Sequence, residues 1–550
     1  METNRRKFLK NMGMNSVVLC TGIATVNGSA INGSPGTTPA LPEDTVPRDG
    51  IFNVFAFGAK GDGKTLDTEA IQKAIDQCNK AGGGKVYLNK GCFLISNINL
   101  KSNVTLHIEA GAILKCGATP ANRRMIVAEN EKNISVCGRG AIDANGDFVF
   151  SKSGPYKGTP TSEVRPGIIS FKSCENIHVR DVTLTNSASW VSTYTQCKNL
   201  LIDGITIDSR ENKDIEKTRY ADSLGRNTDG IDLVDSEKVR ISNCFIYCGD
   251  DGIVMKSHDP DKACRDITIT NCVISTNASG IKTGTETAGA FEDITIQNCV
   301  VYDTRNEAIA ILTADGARVE RIIVSDITLR NIKGAAIALR LGVRNRLYQE
   351  NARLNKPILK DIIIENIQGT RISADYGCNI TGMKDFHVEN VILKNINLEF
   401  EGGGSVEDSY RKIDEEEKSY PSGRVFGRIP AYGFFIRHVK NLTLDNVWLR
   451  FMKGDNRPAI LCDDAEHVEI KGLKASGTAE TPDLIRLINT RDAVIAQSRP
   501  SSPVKVFLSV SGDMSEEIVL QNNLLKNARM NYLLEKDSMK TKIVESGTIK

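Results

Sequence analysis

The chain has 550 residues with Gly 46, Trp 2, aromatics at 6% and a steady supply of Val, Ile, Thr and Asn, which suits many short strands joined by turns better than long helices. Lys+Arg 70 against Asp+Glu 68 leaves the charge nearly balanced, so the broad basic surface of a nucleic-acid binder is excluded and an acidic ligand would need local cations. No apolar run reaches the roughly 18 residues that a membrane span needs.

In chain order, a basic stretch from Asn4 through Arg5, Arg6 and Lys7 to Lys10 precedes a short, weakly apolar run through Val17, Leu19 and Ile23. This reads as a twin-arginine-like export signal over residues 1–30, cleaved near Gly28-Ser29-Ala30, and predicts a periplasmic or extracellular protein. Residues 31–50 read as a Gly/Pro/Thr linker. From Asp67 to Cys78 the apolar positions recur at helical spacing, and Gly82-Gly83-Gly84 then leads into Val86-Tyr87-Leu88, predicting helix, turn and first strand.

From Asn103 onward one phrase recurs: Asn or Asp, then an alternating β-branched run. Examples are Asn103-Val104-Thr105-Leu106, Asn133-Ile134-Ser135-Val136, Asn176-Ile177-His178-Val179, Asp266-Ile267-Thr268-Ile269 and Asn441-Leu442-Thr443-Leu444. Self-similarity at about 20 to 30 residues is the mark of a solenoid, whose single coils cannot bury their own apolar faces. A right-handed parallel β-helix over residues 51–475, capped by the N-terminal helix, is therefore predicted, with irregular terminal coils and a tail over 476–550. Of Cys 14, three follow an asparagine at coil spacing (Cys244, Cys272, Cys299), which predicts a ladder of buried thiols rather than disulfides. The charged stretch Glu401–Pro421 reads as a solvated loop bordering a cleft.

Two segments carry chemistry. Asn227-Thr228-Asp229-Gly230-Ile231-Asp232 and Gly249-Asp250-Asp251-Gly252-Ile253 place Asp250 and Asp251 21 and 22 residues beyond Asp229, about one coil. Three carboxylates on adjacent rungs repel, so one should keep its proton to higher pH and supply a general acid beside a general base. Lys256, Lys282, Glu286 and Arg340 fall at the same turn region of successive coils and, with Asn227, are candidates for substrate contact. Asp232 is expected to contribute far less than the three, and His258 is a minor candidate.

Together with Phe57-Gly58-Ala59-Lys60-Gly61-Asp62-Gly63, Arg165-Pro166, Asn186-Ser187 and Trp190, these segments resemble family 28 glycoside hydrolases, the polygalacturonase and rhamnogalacturonase group. The resemblance implies a right-handed β-helix and hydrolysis with inversion, without metal or cofactor. It makes Asp250 the general acid, and Asp229 with Asp251 the holders of the attacking water. Inversion leads one to expect carboxyl groups roughly 6.5 to 9.5 Å apart. The partner would be a pectic or related acidic polysaccharide, acted on by a monomer. The group's Gly-His-Gly is replaced by Ala278-Ser279-Gly280, and its Arg-Ile-Lys region reads Glu307-Ala308-Ile309-Ala310-Ile311, which brings rhamnogalacturonan and side-chain linkages level with polygalacturonan. Two other readings stand beside hydrolysis: a β-helix lyase with a calcium nest of aspartates, and a non-catalytic carbohydrate-binding solenoid.

Overall fold

A computed structural model describes residues 47, 49–117, 124–147, 165–210, 227–350 and 352–550. The expected export signal, and nearly all of the expected linker, lie outside the described residues. The rest forms a right-handed parallel β-helix in which each strand pairs with its counterpart one coil on.

A representative coil has three short strands, Ile231–Val234, Glu237–Ser242 and Phe245–Cys248. Alternation sends Ile231 and Leu233, Val239 and Ile241, and Ile246 into a core with no exposure. Truncating such an isoleucine to alanine would cost about 2–5 kcal/mol, because neighbouring coils cannot close the gap.

The corners explain the recurrent asparagine. Asn103, Asn133, Asn176 and Asn199 all take left-handed backbone angles, with φ between 56° and 63°. Their side chains also stack: the amide of Asn133 donates to Asn103 Oδ1 at 2.9 Å, that of Asn176 to Asn133 at 3.0 Å and that of Asn199 to Asn176 at 2.7 Å. Asparagine thus supplies both the turn geometry and a polar ladder along the solenoid.

The helix α1 (Thr68–Lys80) buries Ile71, Ala74, Ile75 and Cys78 in the same core as Phe52, Val54 and Val86, as a cap should. Asp67 does not cap it with its side chain; its carboxylate instead accepts the backbone N–H groups of Lys60 and Gly61 at 2.7 and 3.0 Å. All thirteen cysteines among the described residues are free. Cys244, Cys272 and Cys299 are buried and donate to the carbonyls of Ser242, Thr270 and Gln297 at 3.1, 3.3 and 3.2 Å.

Past Ser476 the coils do not become irregular. Glu466, Arg491 and Glu516 pair in turn, and Ile518 pairs with Ile543, a steady stride of 25 residues. The repeat was partly disguised: Asn489, Asp492 and Asn522 keep the left-handed corner, but Gln497 and Glu517 take it elsewhere, at φ 52° and 55°.

One wall positions the chemistry. It consists of β1 (Ser192–Thr195), β2 (Ile231–Val234), β3 (Ile253–Ser257), β4 (Ile281–Thr287), β5 (Ile309–Thr313), β6 (Ile337–Leu341), β7 (Cys378–Thr381) and the starts of β8 (Phe434–Lys453) and β9 (Ile460–Lys471), each parallel to the next.

Candidate active site

The two aspartate segments enter β2 and β3 one coil apart, as their spacing predicts. The glycine after each is required by close approach: a Cβ on Gly230 would lie 2.5 Å from the carbonyl oxygen of Gly252, and one on Gly252 2.5 Å from that of Gly280. Buried Thr228 fastens the pair by donating to Ser209 O at 3.0 Å and accepting the N–H of Gly249 at 2.8 Å.

Asp229, Asp250 and Asp251 each bring one carboxylate oxygen within 4.8 Å of the others. These nearest oxygens are closer than the roughly 6.5 to 9.5 Å expected of an inverting pair, because hydrogen-bonded parallel rungs lie only about 4.8 Å apart.

Two buried lysines offset the charge. Lys256, on β3, places Nζ 2.9 Å from Asp229 Oδ2 and 2.6 Å from Asp232 Oδ1, beneath the Trp190 ring at 3.5 Å from its centroid. Lys282, on β4, donates to Asp251 Oδ2 at 2.8 Å and to the Tyr420 hydroxyl at 3.2 Å. The other Asp251 oxygen accepts the N–H of Ser279 at 3.1 Å.

Asp250 differs from both neighbours. It accepts from the Asn227 amide at 2.9 Å, and Asn227 Oδ1 is in turn held by the Arg165 guanidinium at 3.3 Å. Burial, then repulsion from Asp229 and Asp251, pushes its pKa up to about 8, with Lys282 and Asn227 only partly opposing. Burial also raises Asp229, against the pull of Lys256. The arrangement sets an aspartate with a raised pKa and no lysine partner in its hydrogen bonding beside two aspartates that are each tied to an ammonium. Asp229 Oδ1 is buried and accepts no hydrogen bond from the described residues.

The remaining candidates divide. Glu286 lies on β4 with Oε2 buried and unbonded among the described residues, and its charge acts on Lys256 and His258. His258 stacks on Tyr348, with centroids 5.0 Å apart, and burial lowers its pKa. Arg340, on β6, is buried and stands on the outer face of the same wall, but its hydrogen bonds go to a loop rather than to the aspartates. It donates to the carbonyls of Ser422 and Glu416 and packs over Phe426 at 4.5 Å, holding the loop after β-strand Val388–Gly402. Where an Arg-Ile-Lys would stand, Ala310 and Leu312 form a small buried apolar cluster with Ala335 and Ala338, packed by Tyr376.

Three participants escaped the sequence reading. Asp232 is fully buried and ion-paired to Lys256, so it belongs to the site and is no bystander. The signal was there: Ile231 and Leu233 point inward, so Asp232 must point out of the same wall. Tyr420 reaches Lys282 across 138 residues from the charged loop, and no local pattern announces it. Trp190, which the sequence marks only as part of the family resemblance, covers Lys256.

Residues 78–419 match the model of Glycosyl hydrolases family 28. An exopolygalacturonase of Zea mays is 27% identical over 331 residues, 52% of this chain and 77% of that protein. An exo-poly-alpha-D-galacturonosidase of Dickeya chrysanthemi is 25% identical over 291 residues, 42% of this chain and 46% of that protein, so the match spans about half of that relative. The crystal structure of a hyperthermoactive exopolygalacturonase from Thermotoga maritima superposes with a TM-score of 0.53 at 22% identity, covering 65% of this chain and 88% of that one, a likeness of fold.

Proposed function

The chain belongs to family 28 of the glycosyl hydrolases and is a glycoside hydrolase; from that premise we propose that it cleaves a pectic polysaccharide, with Asp250 as general acid and Asp229 with Asp251 activating water. The observation that carries this reading is the contrast within the triplet. Asp250 keeps its proton to about pH 8, while Asp229 and Asp251 are each anchored through one oxygen to a lysine.

Asp250 gives its proton to the glycosidic oxygen as the bond to the anomeric carbon breaks. A water held by Asp229 Oδ1 and Asp251 gives its proton to Asp229 Oδ1 as its oxygen forms the new bond to that carbon. Lys256 and Lys282 fix the two acceptors in place through salt bridges to one oxygen of each. Inversion is supported by the family and by the unbonded Asp229 acceptor, not by carboxylate separation. Asn227, Lys282, Glu286 and Trp190 line the approach and are proposed to contact sugar; Arg340 positions the loop that carries Tyr420.

The relatives named for galacturonan support a pectic substrate, and the apolar Ala310 and Leu312 favour including rhamnogalacturonan and side-chain linkages with polygalacturonan. Export of the protein, directed by residues 1–30, is proposed with it, since such polymers lie outside cells. A lyase built on calcium is disfavoured because two ammonium groups already take oxygens of Asp229 and Asp251, where a dication would meet their repulsion.

Product analysis on oligosaccharides of polygalacturonan, rhamnogalacturonan and pectic side chains tests the reading. New reducing ends, no absorbing unsaturated product, and a first anomer opposite to the bond cleaved are expected. An unsaturated product would overturn hydrolysis, and a retained anomer would overturn the water-activating role of Asp229 and Asp251.

A further inference from the structure

Farther along the same wall, a second cluster gathers where β8 and β9 turn the corner. Arg437 pairs with Asp463 and Val388 with Val439, so His387, His438 and Asp464 stand on successive coils at one corner. His438 and Asp464 both take the left-handed angle there, φ 54° in each, which aims their side chains along the column.

Asp464 Oδ2 lies 2.6 Å from His438 Nδ1 and 3.7 Å from His387 Nε2, and one donor atom of each residue lies within 4.8 Å of the others. The 2.6 Å contact is a direct hydrogen bond between His438 and Asp464; an ion would take the place of that proton, opening the pair and drawing in His387 to the roughly 3.3 Å between ligand atoms around a tetrahedral zinc-type ion with bonds of about 2.0–2.2 Å. The other nitrogen of His438 faces Glu415 Oε2 at 3.1 Å. A carboxylate on the far ring nitrogen is what orients a histidine ligand and fixes its tautomer.

We propose that His387, His438 and Asp464 form a site for a divalent transition ion of the zinc class, with Glu415 as the outer partner of His438. His387 Nε2, His438 Nδ1 and Asp464 Oδ2 supply three ligands, and water completes the fourth position. The flanking cations do not contest Asp464: Arg437 is engaged by Asp463 at 3.2 Å and Glu415 at 3.5 Å, and Lys440 by Glu466 at 3.5 Å.

The consequence is mechanical. Glu415 belongs to the loop whose Tyr420 touches Lys282, so an ion that orders His438 and Glu415 fastens that loop to the wall five coils from Asp250 and Asp251. The catalytic step itself needs no ion at this corner.

The test uses the full chain without a histidine tag, stripped by chelator and titrated with Zn²⁺ by calorimetry, then with Co²⁺ by visible absorption. One saturable equivalent with a tetrahedral cobalt spectrum lacking sulfur charge transfer is expected. His387→Gln or Asp464→Asn should abolish the spectrum, and Glu415→Gln, on the exposed loop, should weaken binding about 10–100-fold. Asp251→Asn, which alters the catalytic carboxylates, should leave binding as in the wild type. No saturable equivalent, binding undiminished in His387→Gln, or loss confined to Asp251→Asn would overturn the site. None of these results touches the assignment of Asp250.

Discussion

Lys256→Met isolates the charge balance on which the proposed mechanism depends. Methionine keeps most of the stem but removes an ammonium that lies 2.9 Å from Asp229 and 2.6 Å from Asp232, both buried. Removing one partner of a buried pair costs about 3–5 kcal/mol, because the charge left behind is neither hydrated nor compensated. The variant limits that loss by taking up a proton on Asp229 or Asp232. Burial already raises Asp229 against the pull of Lys256, so without Lys256 its pKa climbs further. The base is then ionised only at higher pH, toward the point near 8 where Asp250 gives up its proton. The window in which Asp229 is ionised and Asp250 protonated narrows, and kcat at the optimum should fall by about 10²-fold or more, the usual share of a general base. Initial rates from pH 4 to 9 together with urea unfolding read both effects. Wild-type stability with an unshifted acid limb would refute the claim that Lys256 sets the ionisation of Asp229.

Asp250→Asn should lower kcat by at least about a hundredfold with substrate binding retained, and should abolish the alkaline fall in rate near pH 8. Because the folded pKa of Asp250 is raised, its contribution to stability is full at low pH and is lost as pH rises toward 8; the asparagine variant should lack this loss, seen as a relative gain in Tm above that pH. Tyr420→Phe removes one hydrogen bond to Lys282, worth about 0.5–1.5 kcal/mol, and should lower kcat/KM by no more than roughly tenfold. Thiol titration of the unfolded, unreduced protein should find the described cysteines free; largely paired sulfurs would overturn the ladder of Cys244, Cys272 and Cys299. A reporter fused to residues 1–30 should be exported, and Arg5→Lys with Arg6→Lys should block it; retention with the native segment would sink the localisation.

The solenoid was legible because its physics repeats. The corner needs a residue that tolerates positive φ and a partner one coil away, so asparagine recurs with the coil, and the candidate aspartates Asp229 and Asp251 stand one coil apart. Lys256 and Lys282 do not share one column as that arithmetic expected: Lys282 pairs with Val254, two residues before Lys256, and each reaches a different aspartate. Contacts made by side chains leaving the column were not legible in this way. Arg340 obeys the period yet bends toward backbone carbonyls of a loop, and Tyr420 arrives from that loop. Asp232 was undervalued because its importance lies in sharing one ammonium with Asp229, a relation set by side-chain reach rather than by position. The terminal coils were missed where glutamine and glutamate occupy the corner.

The arginine-held loop alters how the solenoid comes apart. Stacked coils touch only their neighbours, so such a rod can fray from an end one rung at a time. Here Arg340 holds Ser422, Arg437 holds Ile413 at 2.9 Å and Arg486 holds Ser409, so one loop is stitched to three separate rungs. Those rungs cannot open singly without releasing the loop. The stretch from β6 to Asp483–Ile488 should therefore melt as a single cooperative block, with hydrogen exchange slowed alike across it, while the last coils open independently.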